Sequence, residues 1–428
     1  LSEDGRFSFS FIPKADERLE QSSKGITYRY AVDADVTDEG GETRSASRAF
    51  RLGFVTVEAS VKTDSAFFLE QKPEKLSIVR VNLDGNPAPG AGTYQLVKVI
   101  PPDKTLLPVD QPLPPSPKGS AEPLLKTPGD TQRPRWDVRY QPDAIMRGWP
   151  DGPEVSRGTL VHNEKGEAEL TLPALPAGLY RLKYETKDAF GAAYEMSREI
   201  LVAGPTLQLP LPLLFLVQKA SVSVGGVARF LVLSGFEGQD LRLERFKNAR
   251  KDDGRILQAG KESPLIEIPV TERDRGGVLF SAATLRDHQY IEFSRSVFVP
   301  WDNKELQIEF STFRDKLQPG QKERWAIKVS STDRARTPAA AAEVLAYMYD
   351  RSLEAFGPHR PPSLLGLWPS YLQRPFGRVS LSLAGAIWVE TKGFATLPEY
   401  PALQPDSLKT LEGYGVGGPG GRRRQMYP

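Results

Sequence analysis

The chain has 428 residues, with 56 Lys and Arg against 54 Asp and Glu, a net charge of +2. At roughly 100–200 residues per domain, that length accommodates three to four domains, and the balanced charge gives no global attraction to nucleic acid or anionic membrane. It contains no cysteine, which excludes disulfides, thiolate metal sites and a cysteine nucleophile but leaves the compartment open.

Along the chain the dominant pattern is period two. Phe7, Phe9 and Phe11 alternate with Arg6, Ser8 and Ser10, as in a strand with one buried face. Ile26-Thr-Tyr-Arg-Tyr-Ala-Val-Asp-Ala-Asp-Val36 repeats it, ends in the turn cluster Thr37-Asp-Glu-Gly-Gly41, and resumes at Ala49-Phe-Arg-Leu52. Further strands are predicted at Val55-Thr-Val-Glu-Ala-Ser-Val61, Leu76-Ser-Ile-Val-Arg-Val81, Ala168-Glu-Leu-Thr-Leu172 and Tyr180-Arg-Leu-Lys-Tyr184. The pattern continues at Ala220-Ser-Val-Ser-Val224, Leu241-Arg-Leu-Glu-Arg-Phe246 and Leu265-Ile-Glu-Ile-Pro-Val270. It closes with Leu306-Gln-Ile-Glu-Phe310, Arg324-Trp-Ala-Ile-Lys-Val329 and Val379-Ser-Leu-Ser-Leu383. Short strands punctuated by Gly, Pro and Asp predict an all-β chain of antiparallel sandwiches.

Two segments break the pattern. Residues 101–158 hold 13 prolines. Each removes a ladder donor, so the segment reads as a surface insertion, partly extended or disordered, rather than as paired strands. Residues 396–428 include Gly413-Tyr-Gly-Val-Gly-Gly-Pro-Gly-Gly-Arg-Arg-Arg-Gln425 and offer nothing to build a core. The most apolar run, residues 205–217, carries three prolines and is shorter than the roughly 20 residues of a membrane-spanning helix. No signal peptide is visible, and the opening on Leu1 reads as a mature or excised piece.

Candidate chemistry is sparse. His162, His288 and His359 are far apart and lack metal-ligand spacing, so surface or loop positions are predicted and no metal or cofactor. No nucleophile elbow or Ser/His/Asp spacing is present. Asp33, Asp35, Asp252 and Asp253 read as solvated. Gly413, Gly415 and Gly418 match a dinucleotide fingerprint in form, but no strand and helix flank them. Trp325, Tyr347 and Trp388 fall on strand patterns and read as sandwich core. The remaining feature is Arg422, Arg423 and Arg424 in the glycine-rich tail. Three readings stand for it: a solvated tail of no special role, an electrostatic contact with phosphates, or a protease-accessible chain whose three arginines in a row suit trypsin-like cleavage.

Three stretches resemble the α-2-macroglobulin family of protease traps, in its bacterial form. The first is Asp4-Gly-Arg-Phe-Ser-Phe-Ser-Phe11 with Tyr28-Arg-Tyr-Ala-Val-Asp-Ala-Asp-Val-Thr-Asp-Glu-Gly-Gly-Glu-Thr-Arg44. The second is Leu175-Pro-Ala-Gly-Leu-Tyr-Arg-Leu182 with Thr186-Lys-Asp-Ala-Phe-Gly191. The third and most specific is Phe313-Arg-Asp-Lys-Leu-Gln-Pro-Gly-Gln-Lys-Glu-Arg-Trp325 with Ala342-Glu-Val-Leu-Ala-Tyr-Met-Tyr-Asp-Arg-Ser-Leu353.

The resemblance implies tandem macroglobulin-like (immunoglobulin- or fibronectin-like) antiparallel β-sandwiches: the end of a truncated one at 1–54, then 55–204 with the insertion 101–158, 205–299 and 300–395. A bait-like segment follows at 396–428. It also implies a strand at 343–349 and a helical turn at 352–356, against the helix-favouring composition of that window.

The expected function is that of a non-enzymatic piece of a broad-spectrum protease inhibitor, periplasmic, secreted or at the cell surface. Proteases would be decoyed at Arg422, Arg423 and Arg424. Its other partners would be further macroglobulin-like and thioester-type domains of the same parent chain, with no nucleic acid and no membrane span. The family's Cys-x-Glu-Gln thioester is absent from this cysteine-free chain. The alternative is an extracytoplasmic adhesion or scaffold protein of tandem β-sandwiches.

Overall fold

The computed structural model describes residues 6–16, 26–37, 40–112, 139–312, 324–331 and 367–373, with Gly320, Lys322, Glu354 and Gly357 besides. The chain divides into two units, Leu1–Ser382 and Leu383–Pro428, and every described residue lies in the first.

The alternating pattern near the start makes a hairpin of β1 (Thr27–Thr37) and β2 (Thr43–Gly53). Tyr28, Tyr30 and Val32 share one face with Phe50 and Leu52, and the Tyr30 and Phe50 rings stack at 5.7 Å. Phe7, Phe9 and Phe11 do not form the predicted strand. Their rings stack in sequence at 6.5 and 6.2 Å, as alternate residues of an extended chain do, but no ladder partner is present among the described residues. Arg51 ties the hairpin onward through a bidentate pair with Glu58 at 3.1 and 3.0 Å.

Two β-sandwiches follow. The first faces a sheet of β3 (Val57–Lys62), β5 (Glu74–Asn82) and β8 (Glu167–Leu172) against a second sheet. That second sheet holds β4 (Phe68–Leu69), β10 (Ala193–Ala203), β9 (Gly178–Lys187), β6 (Gly90–Val99) and β7 (Asp151–His162), in that order across it. All pairings are antiparallel except the short β4–β10 contact. Period two is obeyed inward: Leu76 and Ile78 on β5, Leu170 and Leu172 on β8, and Tyr180, Leu182 and Tyr184 on β9 fill the core.

The second sandwich sets β11 (Leu214–Val217), β12 (Val227–Leu233) and β15 (Leu265–Pro269) against a four-stranded sheet. That sheet runs β14 (Arg250–Gln258), β13 (Asp240–Lys247), β16 (Val278–Arg286) and β17 (Gln289–Val297). Its centre is aromatic, with Phe230 4.3 Å from Phe280 and 6.0 Å from Phe215. After it, β18 (Leu306–Thr312) and β19 (Ala326–Ser331) form a further hairpin. The described fold is therefore all-β, with tandem antiparallel sandwiches, as the periodicity predicts.

Further expectations are corrected here. Residues 151–158 belong to paired strand β7 rather than to an unpaired insertion. Pro153 is tolerated because β7 is an edge strand and its pairing with β6 is irregular there, at Val97 and Val99. Residues 220–224 make only an isolated bridge, Ser221 to Phe298, before the turn at Gly225 and Gly226. Trp325 is 37% exposed rather than core. The predicted strand and helical turn at 343–356 lie outside the described residues apart from Glu354, as do Tyr347 and Trp388.

Candidate functional site

Histidine is the side chain most often found in acid–base catalysis and metal binding. His162 is not on the surface. It ends β7 with 4% exposure, and Nδ1 lies 3.0 Å from the Gly90 carbonyl. A carbonyl only accepts, so Nδ1 carries the proton and Nε2 faces the Tyr184 hydroxyl at 3.4 Å. Burial, and secondly the Arg80 charge, hold its pKa below the usual 6.5. Arg80 is itself buried, donating to Thr186 Oγ1 and to the carbonyls of Ala88, Pro89 and Lys187. This is a satisfied polar end to an apolar core. His288 sits in the β16–β17 turn with φ +60°. His359 lies outside the described residues, as do Gly413, Gly415, Gly418, Arg422, Arg423 and Arg424. Among the described residues no three His, Asp or Glu side chains gather as a metal site.

The outer face of the five-stranded sheet carries an open depression of about 810 Å³, lined by Gln95, Glu154, Arg157, Lys183, Glu185 and Ser197. Its charges pair among themselves, with Gln95 donating to Glu154 at 2.7 Å and Arg157 3.1 Å from Glu154. Asp151, at its rim, is held below the usual carboxylate range chiefly by its bond with Lys183, then by Arg181.

The most developed arrangement is the junction between the sandwiches. Residues 205–213, too rich in proline to form a strand, run between them. Leu207, Leu209 and Leu211 are buried against Phe67, Leu201 and Leu231. That apolar run is therefore inter-sandwich core.

The proline-rich segment is woven into the same junction. It leaves β6 at Val99. Leu107 is buried, and the Val109 amide donates to Gln289 Oε1 of β17 at 3.1 Å. The segment is again described at Arg139 and Tyr140. The Tyr140 hydroxyl donates to the Leu213 carbonyl at 2.8 Å, and its ring lies 5.7 Å from Phe293. Burial pushes the Tyr140 hydroxyl pKa well up, so it stays a donor at any physiological pH.

A short helix, α1 (Pro142–Arg147), then returns the chain to the first sandwich. Proline stands in its first turn and Gly148 follows it. Met146 and Trp149 seal the junction core. Arg181 of β9 closes the return. It donates to the carbonyls of Met146, Arg147 and Trp149 at 3.2, 2.9 and 3.1 Å, and pairs with Asp151 and Glu199 at 2.6 and 3.1 Å. In its described parts the segment is a strap that grips both sandwiches.

A second tie lies within the Thr186-Lys-Asp-Ala-Phe-Gly191 stretch. Burial alone would raise the Asp188 pKa, but four hydrogen bonds hold it below the usual range. They come from the amide and hydroxyl of Thr56 at 3.0 Å each, and from the amides of Phe190 and Ala192 at 2.9 Å each. Asp188 thus pins the start of the first sandwich to the β9–β10 turn.

The solved structures that resemble this chain include bacterial α-2-macroglobulins. Salmonella α-2-macroglobulin reacted with methylamine is 11% identical, with a TM-score of 0.29, over 83% of this chain and 23% of that one. Native Escherichia coli α-2-macroglobulin, seen by cryo-electron microscopy, is 11% identical with a TM-score of 0.22, over 73% and 23%. The trypsin-activated E. coli protein is 13% identical with a TM-score of 0.21, over 72% and 24%. Each is a distant likeness of fold, and the chain spans about a quarter of the length of those structures. No family model matches the chain, and no curated protein does.

Proposed function

We propose that this chain is a non-enzymatic frame of an α-2-macroglobulin-type protease trap. The single observation that carries this reading is the resemblance of the stretches at 4–11 with 28–44, 175–182 with 186–191, and 313–325 with 342–353, the last pair the most specific. The strap supports it physically. A trap must transmit a cut at one place into a movement elsewhere, which requires bodies that move as units, and Tyr140, Trp149 and Arg181 bond and pack the two sandwiches across one shared junction. In this reading the bait is residues 396–428, with Arg422, Arg423 and Arg424 as a target for trypsin-like proteases. The protein works outside the cytoplasm, and the remaining trap domains are its partners.

Limited digestion by several unrelated proteases, with cut sites mapped by mass spectrometry, tests the bait. The reading expects first cuts by each protease within 396–428, and loss of the tryptic cuts at 422–424 alone, with any at Lys409 kept, when the three arginines become Gly. First cuts scattered across the sandwich surfaces would remove the bait assignment and leave a scaffold.

A further inference from the structure

The second sandwich carries a seat for a peptide at the end of its four-stranded sheet. One wall is the β13–β14 turn, where Asn248 and Ala249 hold φ +48° and +57°. The floor is Gly276 and Gly277, at φ +84° and +97°. The other wall is Trp301. It is fixed at the exit of the sandwich because Arg275, 7% exposed at its side chain, bonds the Pro300 carbonyl and Asp302 at 2.6 Å each.

Residues 367–373 lie in this seat. The Tyr371 amide donates to the Gly276 carbonyl at 2.8 Å, and the Tyr371 carbonyl accepts from the Asn248 amide at 3.4 Å. Trp301 Nε1 donates to the Pro369 carbonyl at 3.2 Å, and its ring lies 5.7 Å from Trp368. Lys304 and Lys247 stand over the Trp368 and Tyr371 rings at 5.6 and 5.3 Å. The left-handed backbone already calls for glycine at both positions, and it also lets the segment approach closely. A Cβ on Gly276 would come within 2.5 Å of the Pro369 carbonyl oxygen, and one on Gly277 within 2.5 Å of Leu372.

Two features make the occupant separable. Among the described residues, the core of the second sandwich runs from Leu213 to Val299 and includes none beyond 299. Trp368 remains 39% exposed and Leu367 66%, so the segment lies on the sandwich rather than in it. A pair of main-chain bonds with flanking aromatic and cationic side chains is how folded domains hold extended peptides.

We propose that this corner is a reversible peptide clasp, specific for an extended Trp-Pro-x-Tyr-Leu segment, and that residues 368–372 occupy it in cis. It tethers the chain that follows β19 to the second sandwich, and it stands whether or not the protein is a protease trap.

The test uses the full chain and its W368A/Y371A double variant, neither position belonging to the sandwich core. By hydrogen exchange, the Tyr371 and Asn248 amides of the unaltered protein are expected to exchange at least about tenfold more slowly than in the variant. A synthetic peptide of residues 364–375 should bind the variant in trans, restore protection at Asn248, and shift the emission of Trp301. The unaltered protein, its seat filled, should not take up the peptide. A variant that keeps the parent melting temperature yet neither loses Asn248 protection nor binds the peptide would overturn the clasp. Equal peptide binding by both proteins would overturn its occupation in cis. Because the readout is binding and exchange, failure here says nothing about protease trapping.

Discussion

The guanidinium of Arg181, on the outer face of a strand in the first sandwich, donates to the main-chain carbonyl of Trp149 at 3.1 Å, where the strap returns from the second sandwich. The same side chain satisfies the carbonyls of Met146 and Arg147 and pairs with Asp151 and Glu199. Five acceptors converge on one buried fork, a geometry available to arginine and to no other side chain.

Arg181→Leu leaves Asp151, Glu199 and three carbonyls short of a partner. Breaking a buried pair from one side costs about 3–5 kcal/mol, and the loss should appear as a lowered denaturant midpoint. Arg181→Lys keeps the charge without the fork and should fall between the two. In both variants, residues 139–150 should become the first site of proteolysis within the first sandwich.

The strap's hold on the second sandwich is tested separately. Tyr140→Phe deletes the bond to the Leu213 carbonyl while keeping the ring on Phe293, for about 1 kcal/mol. Trp149→Ala removes a buried ring from the junction, for about 3–5 kcal/mol. If the strap couples the sandwiches, calorimetry should resolve one transition in the parent and two in Trp149→Ala.

His162 gives a pH dependence of known sign. Its folded pKa lies below 6.5, so the unfolded chain takes up the proton first. The stability gained by keeping His162 neutral is complete above pH 6.5. It falls as pH drops from 6.5 toward the folded value, with a slope of at most about 1.4 kcal/mol per pH unit. His162→Gln, which retains a donor and an acceptor but does not titrate in this range, should flatten unfolding free energy between pH 6.5 and 5 relative to the parent.

The fold class was legible because period two is a local signal. Leu76 and Ile78, or Tyr180, Leu182 and Tyr184, announce a buried face from composition alone. What was illegible was longer range. Pro153 reads as a strand breaker, and only its place on an edge strand with irregular pairing makes it harmless. His162 reads as a surface residue until the chain brings Tyr184 and the Gly90 carbonyl to it. Arg181 alternates like any outward residue of β9, and its burial depends on α1, thirty-odd residues earlier in the chain. The sequence sign of the strap is the cluster Trp136, Tyr140 and Trp149 in a proline-rich segment, since large rings are seldom left without a packing partner.

On the proposed reading, a cut in residues 396–428 is transmitted through the joined sandwiches. Small-angle scattering of the full-length protein before and after digestion, with the cut verified by mass spectrometry, measures this directly. Compaction after cleavage by proteases of different specificity, abolished by Arg181→Leu or Trp149→Ala while the cut itself persists, is the predicted result. Cleavage in that segment with an unchanged scattering profile would contradict the account and leave a scaffold with a cleavable end.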